Sequence, residues 1–288
     1  MSADVQSADT PIPLPSATLR FRVAGDDDPN HFRTSGERSL TDLRRALGAI
    51  GATFDDFSTV LEWGCGCGRI LRHIPRRDGQ QLHGFDIDEE ALAFLNEAMP
   101  WIRTSHTAGL PPMPHATETF DLIFNHSVMT HLDEDYQDAW LAELERTLKP
   151  GGILVLTVHG NHAFQANANS LQSKIELVRR GFLFTRTEHW KGQFPDFYHN
   201  AFHDVTYVFD HWGRRFDIRC YIPRGSLDYQ DMIVLQRRTT ADTAAKLDLR
   251  ELVFAGDTLA FTGLARSKKR KLGWRLLREG LGLRRSKL

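Results

Sequence analysis

The stretch Val60-Leu61-Glu62-Trp63-Gly64-Cys65-Gly66-Cys67-Gly68-Arg69-Ile70 constrains the fold more than any other part of the chain. Val60 and Leu61 end a short apolar run of strand type, and three glycines at alternate positions follow. Lacking a Cβ, those glycines let the backbone turn sharply and approach a ligand closely. Arg69-Ile70-Leu71 then reads as the start of a helix that stops before Pro75. Strand, tight turn and helix in that order form the first crossover of a parallel α/β sheet, with a small ligand at the turn.

Three features narrow the ligand. Glu62 places a carboxylate at the mouth of the turn, where it repels a pyrophosphate and attracts a cationic group. The glycines read G-x-G-x-G and miss the dinucleotide spacing G-x-G-x-x-G, because the third position falls on Arg69 counted from Gly64 and on Leu71 counted from Gly66. Leu82-His83-Gly84-Phe85-Asp86 reads as the next strand, and its terminal acid, 22 residues after Gly64, is placed to accept from ribose hydroxyls. Adenosine joined to a positive charge fits these features best.

The ordered motifs Glu62-x-Gly64-x-Gly66-x-Gly68, Gly84-Phe85-Asp86, Phe120-Asp121-Leu122-Ile123-Phe124 and Leu148-Lys149-Pro150-Gly151-Gly152 resemble those of class I S-adenosylmethionine-dependent methyltransferases. The likeness covers about residues 55 to 160 and is of the type found among bacterial small-molecule enzymes. It implies an α/β, doubly wound, mostly parallel seven-stranded sheet with an antiparallel last strand, the Rossmann-like methyltransferase fold. It also implies S-adenosyl-L-methionine as cofactor, with contacts from Glu62, Gly64, Cys65, Gly66, Gly68, Asp86, Ile87, Gly109, Leu110 and Asn125. Gly109-Leu110-Pro111 resembles the family's segment beside the adenine but carries no acid, so backbone groups near Ala108, Gly109 and Leu110 are expected to recognise the base.

Along the chain, residues 1–36 read as an extended N-terminal lead, residues 37–238 as the methyltransferase domain, and 239–288 as a C-terminal extension. Leu40, Leu43, Leu47 and Ile50 recur at helical spacing, giving an amphipathic helix over Glu37–Ile50 able to lid the ligand turn. Asp88, Asp133 and Asp204 stand where helix N-caps belong. Phe120–Phe124 and Ile153–Val158 read as buried central strands; Phe216–Ile222 and Asp231–Leu235 read as the closing antiparallel pair. Residues 161–205, rich first in Asn and Gln and then in aromatics, exceed a simple connection and are expected to cover the substrate.

His126, His131 and His159 fall at or just beyond the ends of central strands and are the candidate catalytic residues, because histidine titrates near neutral pH. Each could equally be a hydrogen-bonded support. No metal is expected: Asp133 alone stands with these histidines, and zinc at Cys65-x-Cys67 would need further soft ligands. The reading is a methyltransferase for a small or medium acceptor, at oxygen in preference to nitrogen: a sugar, a lipid or a secondary metabolite. Its rivals are an NAD(P)-dependent oxidoreductase and a catalytically silent nucleoside-binding module.

Charge and composition bound the setting. The polar start Met1-Ser2-Ala3-Asp4 lacks the regions of a signal peptide, and three cysteines cannot all pair, so a cytoplasmic protein with reduced thiols is expected. The net charge of −1 hides a basic end, since residues 264–288 hold ten Lys or Arg against Glu279. There Trp274, Leu277 and Leu281 share a helical face beside the basic residues, so residues 266–288 are expected to touch an anionic membrane surface, peripheral to the inner membrane. Basic residues and aromatics are not interleaved in the pattern of nucleic-acid binding, and no feature sets the oligomeric state.

Overall fold

A computed structural model describes residues 11–107, 109–167, 170–187, 192, 194–239, 252–255 and 258–261. The basic tail, with the membrane contact expected of it, lies outside the described residues, as do Ala108 and Trp190.

The chain enters through α1 (Ala17–Ala24) and α2 (Pro29–Gly48), each started by a side-chain cap: Ser16 accepts from the Leu19 amide, Asp28 from those of Asn30 and His31. The lead is therefore helical where its prolines suggested extension; Pro15 lies outside α1 and Ser16 begins it. Then follow β1 (Thr59–Trp63), β2 (Gln81–Asp86), α3 (Glu89–Ala98), β3 (Arg103–His106), β4 (Phe120–Phe124), α4 (Glu134–Thr147) and β5 (Leu148–Val158). Asp88 and Asp133 cap α3 and α4 as their positions predict. The helix expected from Arg69 is replaced by turns and a 3-10 segment, Leu71–His73. Gly68 sits at φ 79°, outside the helical range, and Pro75 ends the run six residues after Arg69, too soon for a stable α-helix.

Beyond β5 come α5 (Asn161–Ala166), α6 (Leu171–Arg180), a hairpin of β6 (Phe182–Thr185) and β7 (Asn200–His203), and α7 (Val205–His211), capped by Asp204. The sheet closes with β8 (Phe216–Ser226) and β9 (Gln230–Arg237), and β10 (Leu252–Ala255) and β11 (Thr258–Phe261) pair on the far side of β8.

The core strands run in the order β3-β2-β1-β4-β5-β9-β8. Strands β1 to β5 are parallel, while β9 inserts antiparallel between β5 and β8, pairing Leu154 with Leu235. This is the doubly wound, Rossmann-like methyltransferase sheet with its antiparallel last strand, extended at one edge by the β10/β11 hairpin.

Alternation along β1 shows how both faces are buried. Leu61 and Trp63 join one core with Phe85, Trp140, Leu144 and Trp212, whereas Val60 joins the other with Leu40, Leu47, Leu92 and Leu95. Helices α4 and α7 thus cover one face and α2 and α3 the other. Each such side chain contributes about 1.5–3 kcal/mol by burial. No helix among the described residues is long and apolar enough to cross a membrane.

Candidate functional site

At the C-terminal ends of β1, β2, β4 and β5 a cavity of about 1250 Å³ opens, the place where parallel sheets bind ligands. Single-ligand pockets run to roughly 1,000 Å³, so this one has room for two molecules side by side.

One half is built from the glycine turn. Gly64, Gly66 and Gly68 all have positive φ, 78°, 51° and 79°. A Cβ at Gly66 would run into Val23 of α1, and one at Gly64 into Val128 after β4. The missing side chains thus let a lid and a neighbouring loop close on a turn whose backbone at Gly64 and Gly66 lines the cavity. Asp86 accepts from the Gly66 amide at 2.6 Å through Oδ2 and from the Asp88 amide at 2.9 Å through Oδ1. A carboxylate has about four acceptor positions, so two remain for ligand hydroxyls. Burial raises the Asp86 carboxyl above its usual range, and those amides oppose the rise.

Arg22 of α1 bridges to Asp88 at 3.1 Å and Glu90 at 2.6 Å, holding the lid against the start of α3. Deeper in, Arg69 is 4% exposed and donates to Ser39 Oγ at 3.1 Å. Glu62 stands behind the wall, 2% exposed, with Oε2 unpartnered. Burial pushes its carboxyl up to about 8 against the attraction of Arg69.

The other half comes from β4, β5, the β6/β7 hairpin and the β8/β9 turn. His131 Nδ1 lies 2.7 Å from the His199 carbonyl, which fixes the proton there and makes Nε2 the acceptor nitrogen, 3.3 Å from Ser127 Oγ. Ser127, at φ 64°, also receives Gln230 Nε2 at 2.9 Å and meets Thr130 Oγ1 at 3.0 Å. Tyr198 is sandwiched between Phe194 at 4.5 Å and His131 at 3.9 Å. His159 stands edge-on to His131 and Tyr229, and His126 Nδ1 meets Ser226 Oγ at 2.9 Å. Burial keeps all three candidate histidines neutral: His131 is lowered to about 3, His159 to about 4, and His126 well below the usual value.

Of the residues singled out in the sequence, Gly64, Gly66, Asp86, Ile87, Gly109, His126, His131 and His159 line the cavity. Glu62, Cys65, Gly68, Leu110 and Asn125 do not line it, and each has another place. Glu62 is buried and not at the mouth, because strand β1 has neighbours on both sides. Cys65 packs against Gly84, and Gly68 makes room for Met99 and Leu95. Leu110 points outward, 49% exposed, and Asn125 Oδ1 accepts from the Thr157 amide, tying β4 to β5. Val23 and Arg22 show that α1, together with the start of α2, forms the lid expected of Glu37–Ile50. Asn167, Tyr229 and Gln230 were not anticipated, being brought together by tertiary structure with no local motif to mark them, while Arg69 was read only as a helix start and Tyr198 only as part of the aromatic cover. Among the described residues, no three His, Cys, Asp or Glu side chains are grouped to hold a metal.

Comparison with known proteins gives a consistent set of likenesses. Residues 60–152 match the family described as methyltransferase domain. An uncharacterized protein of Haemophilus influenzae is 29% identical over 170 residues, 56% of this chain and 64% of that protein. The trans-aconitate 2-methyltransferase of an Azoarcus species is 31% identical over 140 residues, 47% of this chain and 51% of that enzyme. The chain thus spans about half to two thirds of the length of these curated relatives. A solved structure from Pyrococcus horikoshii, 15% identical, superposes with a TM-score of 0.51 over 73% of this chain and 93% of that one, a likeness of fold.

Proposed function

We propose that this chain, whose residues 60–152 form a class I methyltransferase domain, transfers a methyl group from S-adenosyl-L-methionine to the oxygen of a small or medium acceptor. The observation that carries this reading is the two-part cavity, with the glycine turn and Asp86 in one part and a wall of neutral histidines in the other.

The residues present suit the cofactor. Asp86 keeps acceptor capacity for the two ribose hydroxyls, while Ile87, Gly109 and Trp140 border the place for adenine. Trp140 Nε1 donates to the Gly109 carbonyl at 3.2 Å and so fixes that border. Arg69, buried and cationic, is the partner for the methionyl carboxylate, and Glu62 behind it, its carboxyl pushed up to about 8, leaves most of that charge to the ligand at neutral pH. Asp88, Glu89 and Glu90 on the rim would repel a pyrophosphate, which disfavours a nicotinamide dinucleotide. When bound, S-adenosylmethionine supplies an electrophilic methyl on a positively charged sulfur.

The chain's own part is alignment and removal of a proton. The acceptor oxygen attacks the methyl carbon in line, a C–O bond forms as the S–C bond breaks, and the bonding pair stays on sulfur. As the C–O bond forms, the hydroxyl proton becomes strongly acidic, so even an imidazole of low basicity suffices to take it. His131 Nε2, held in its tautomer by the His199 carbonyl, is suited to this step; His126 and His159 flank it.

Calorimetric titration with S-adenosylhomocysteine and, separately, NADH tests the cofactor, and labelled S-adenosylmethionine with extract fractions tests turnover. Binding of NADH in preference to S-adenosylhomocysteine would end the reading. From sequence alone, the basic tail at 266–288 supports contact with an anionic membrane surface. Equal pelleting of the full chain and a chain ending at Leu264 with anionic vesicles would remove that contact.

A further inference from the structure

The wall of the cavity divides by charge in a way that bears on the acceptor. Every Asp, Glu, Lys and Arg among the lining residues described lies between residues 21 and 90, on the lid, the glycine turn and the start of α3. From residue 109 onward the lining carries none. That half is made of imidazoles, phenols, amides, one serine hydroxyl and apolar groups.

Two of its polar atoms point to what it must receive. Gln230 is 6% exposed and spends its amide nitrogen on Ser127, leaving Oε1 buried without a partner. His159 is 7% exposed, and its Nδ1 is likewise unpartnered. Gln230 Oε1 is an acceptor, and a buried acceptor left unmatched costs about 1–3 kcal/mol. A ligand hydroxyl that draws the Gln230 amide round to the cavity would remove that cost.

We infer that the acceptor is an uncharged molecule bearing two or more hydroxyl groups, at least one of which donates to Gln230 Oε1 once that amide turns to the cavity, an inference resting on the methyl-transfer reading of the same cavity. A carboxylate or phosphate offers only further acceptors and would lose its hydration against a wall without a counter-charge. An ammonium group could donate, but no carboxylate is among the lining residues described on that side, and buried Asp231 behind it is taken up by Tyr221 and the Arg224 amide. Arg69, whose charge reaches His126, donates to Ser39 and is assigned above to the methionyl carboxylate. Tyr229, which its neighbours His159 and His162 meet edge-on, adds the flat apolar surface that a sugar or phenolic ring needs.

The test uses matched probes that differ in one charge: methyl glucoside against methyl glucuronide, and catechol against 3,4-dihydroxybenzoate. Affinity is measured by calorimetry with and without S-adenosylhomocysteine, and turnover with labelled S-adenosylmethionine. The neutral member of at least one pair should bind and react at least tenfold better than its anionic counterpart. Asn167→Lys, which places a cation at the cavity rim, should narrow that gap several-fold. Equal or better use of the anionic members, or no binding of any neutral member by a protein that binds S-adenosylhomocysteine, overturns the inference. Failure to bind S-adenosylhomocysteine strikes instead at the methyl-transfer reading, while the probe affinities still decide between neutral and anionic ligands.

Discussion

The two halves of the cavity are built on opposite electrostatic plans. Around the glycine turn, charged groups are present and partnered: Asp86 by two backbone amides, Arg22 by Asp88 and Glu90, and Arg69 by Ser39. Across the cavity the lining is neutral, and its histidines are kept so by burial. The first plan suits a ligand with fixed charges, a sulfonium, an ammonium and a carboxylate. The second suits a reaction in which positive charge disappears and a proton leaves an uncharged oxygen.

Acid should break the contrast first, by turning the neutral half into a charged one. His131 and His159 titrate in the folded chain near 3 and 4, below the ordinary 6.5. Between those limits the unfolded chain binds more protons, so stability rises with pH and is lost as pH falls below about 6.5. Each histidine contributes at most about 1.4 kcal/mol per pH unit, and half that at the midpoint of the unfolded chain, so the pair accounts for roughly 3 kcal/mol between pH 6.5 and 5. Denaturant melts at the two pH values measure the loss. The double variant His131→Gln, His159→Gln should show a flatter dependence; an unchanged slope would mean that the wall is not what acid attacks.

The same contrast explains what was legible in the sequence. The charged half is assembled around contiguous segments, a glycine turn and a strand-end acid, and its helix cap Asp88 can be read by position alone. The neutral half draws on His131, Asn167, Tyr198, Tyr229 and Gln230, spread over a hundred residues and joined by strands whose pairing no local pattern states. The aromatic insert was visible as an insert, yet nothing in its spacing says that Tyr198 faces the cavity between Phe194 and His131. Two local misreadings have local causes. Pro11, Pro13 and Pro15 masked the start of α1 at Ser16, and Gly68 with Pro75 denied the turn its helix.

Asp86→Ala should separate the halves functionally. It removes a charge-assisted acceptor worth roughly 1.5–3 kcal/mol, so S-adenosylhomocysteine affinity should fall about ten- to hundredfold in a protein that keeps its melting temperature. His131→Ala makes the reciprocal change. Losing one hydrogen-bond acceptor worth about 0.5–1.5 kcal/mol in the transfer step lowers kcat two- to tenfold, with cofactor affinity unchanged. A His131→Ala protein whose cofactor Kd moves as far as its kcat would place that histidine in both halves and dissolve the distinction.

The smallest effect concerns the lid, where the charged half meets solvent. Arg22 is about a quarter exposed and ties α1 to α3 through Asp88, also a quarter exposed, and the more open Glu90. Ion pairs in such positions contribute about 0.2–1 kcal/mol, and salt screens them. If α1 closes over the cofactor by this tie, Arg22→Ala should weaken S-adenosylhomocysteine binding no more than about fivefold, mainly by faster dissociation. Val23 still packs on Gly66 in that variant, so the lid keeps its apolar contact and loses only its latch. Wild-type affinity should therefore drift toward the variant's as salt rises from 50 mM to 1 M, while the variant's own affinity stays level. Stopped-flow release measured at both salt concentrations distinguishes this from a direct contact between Arg22 and the ligand, which would leave a gap between the two proteins at high salt.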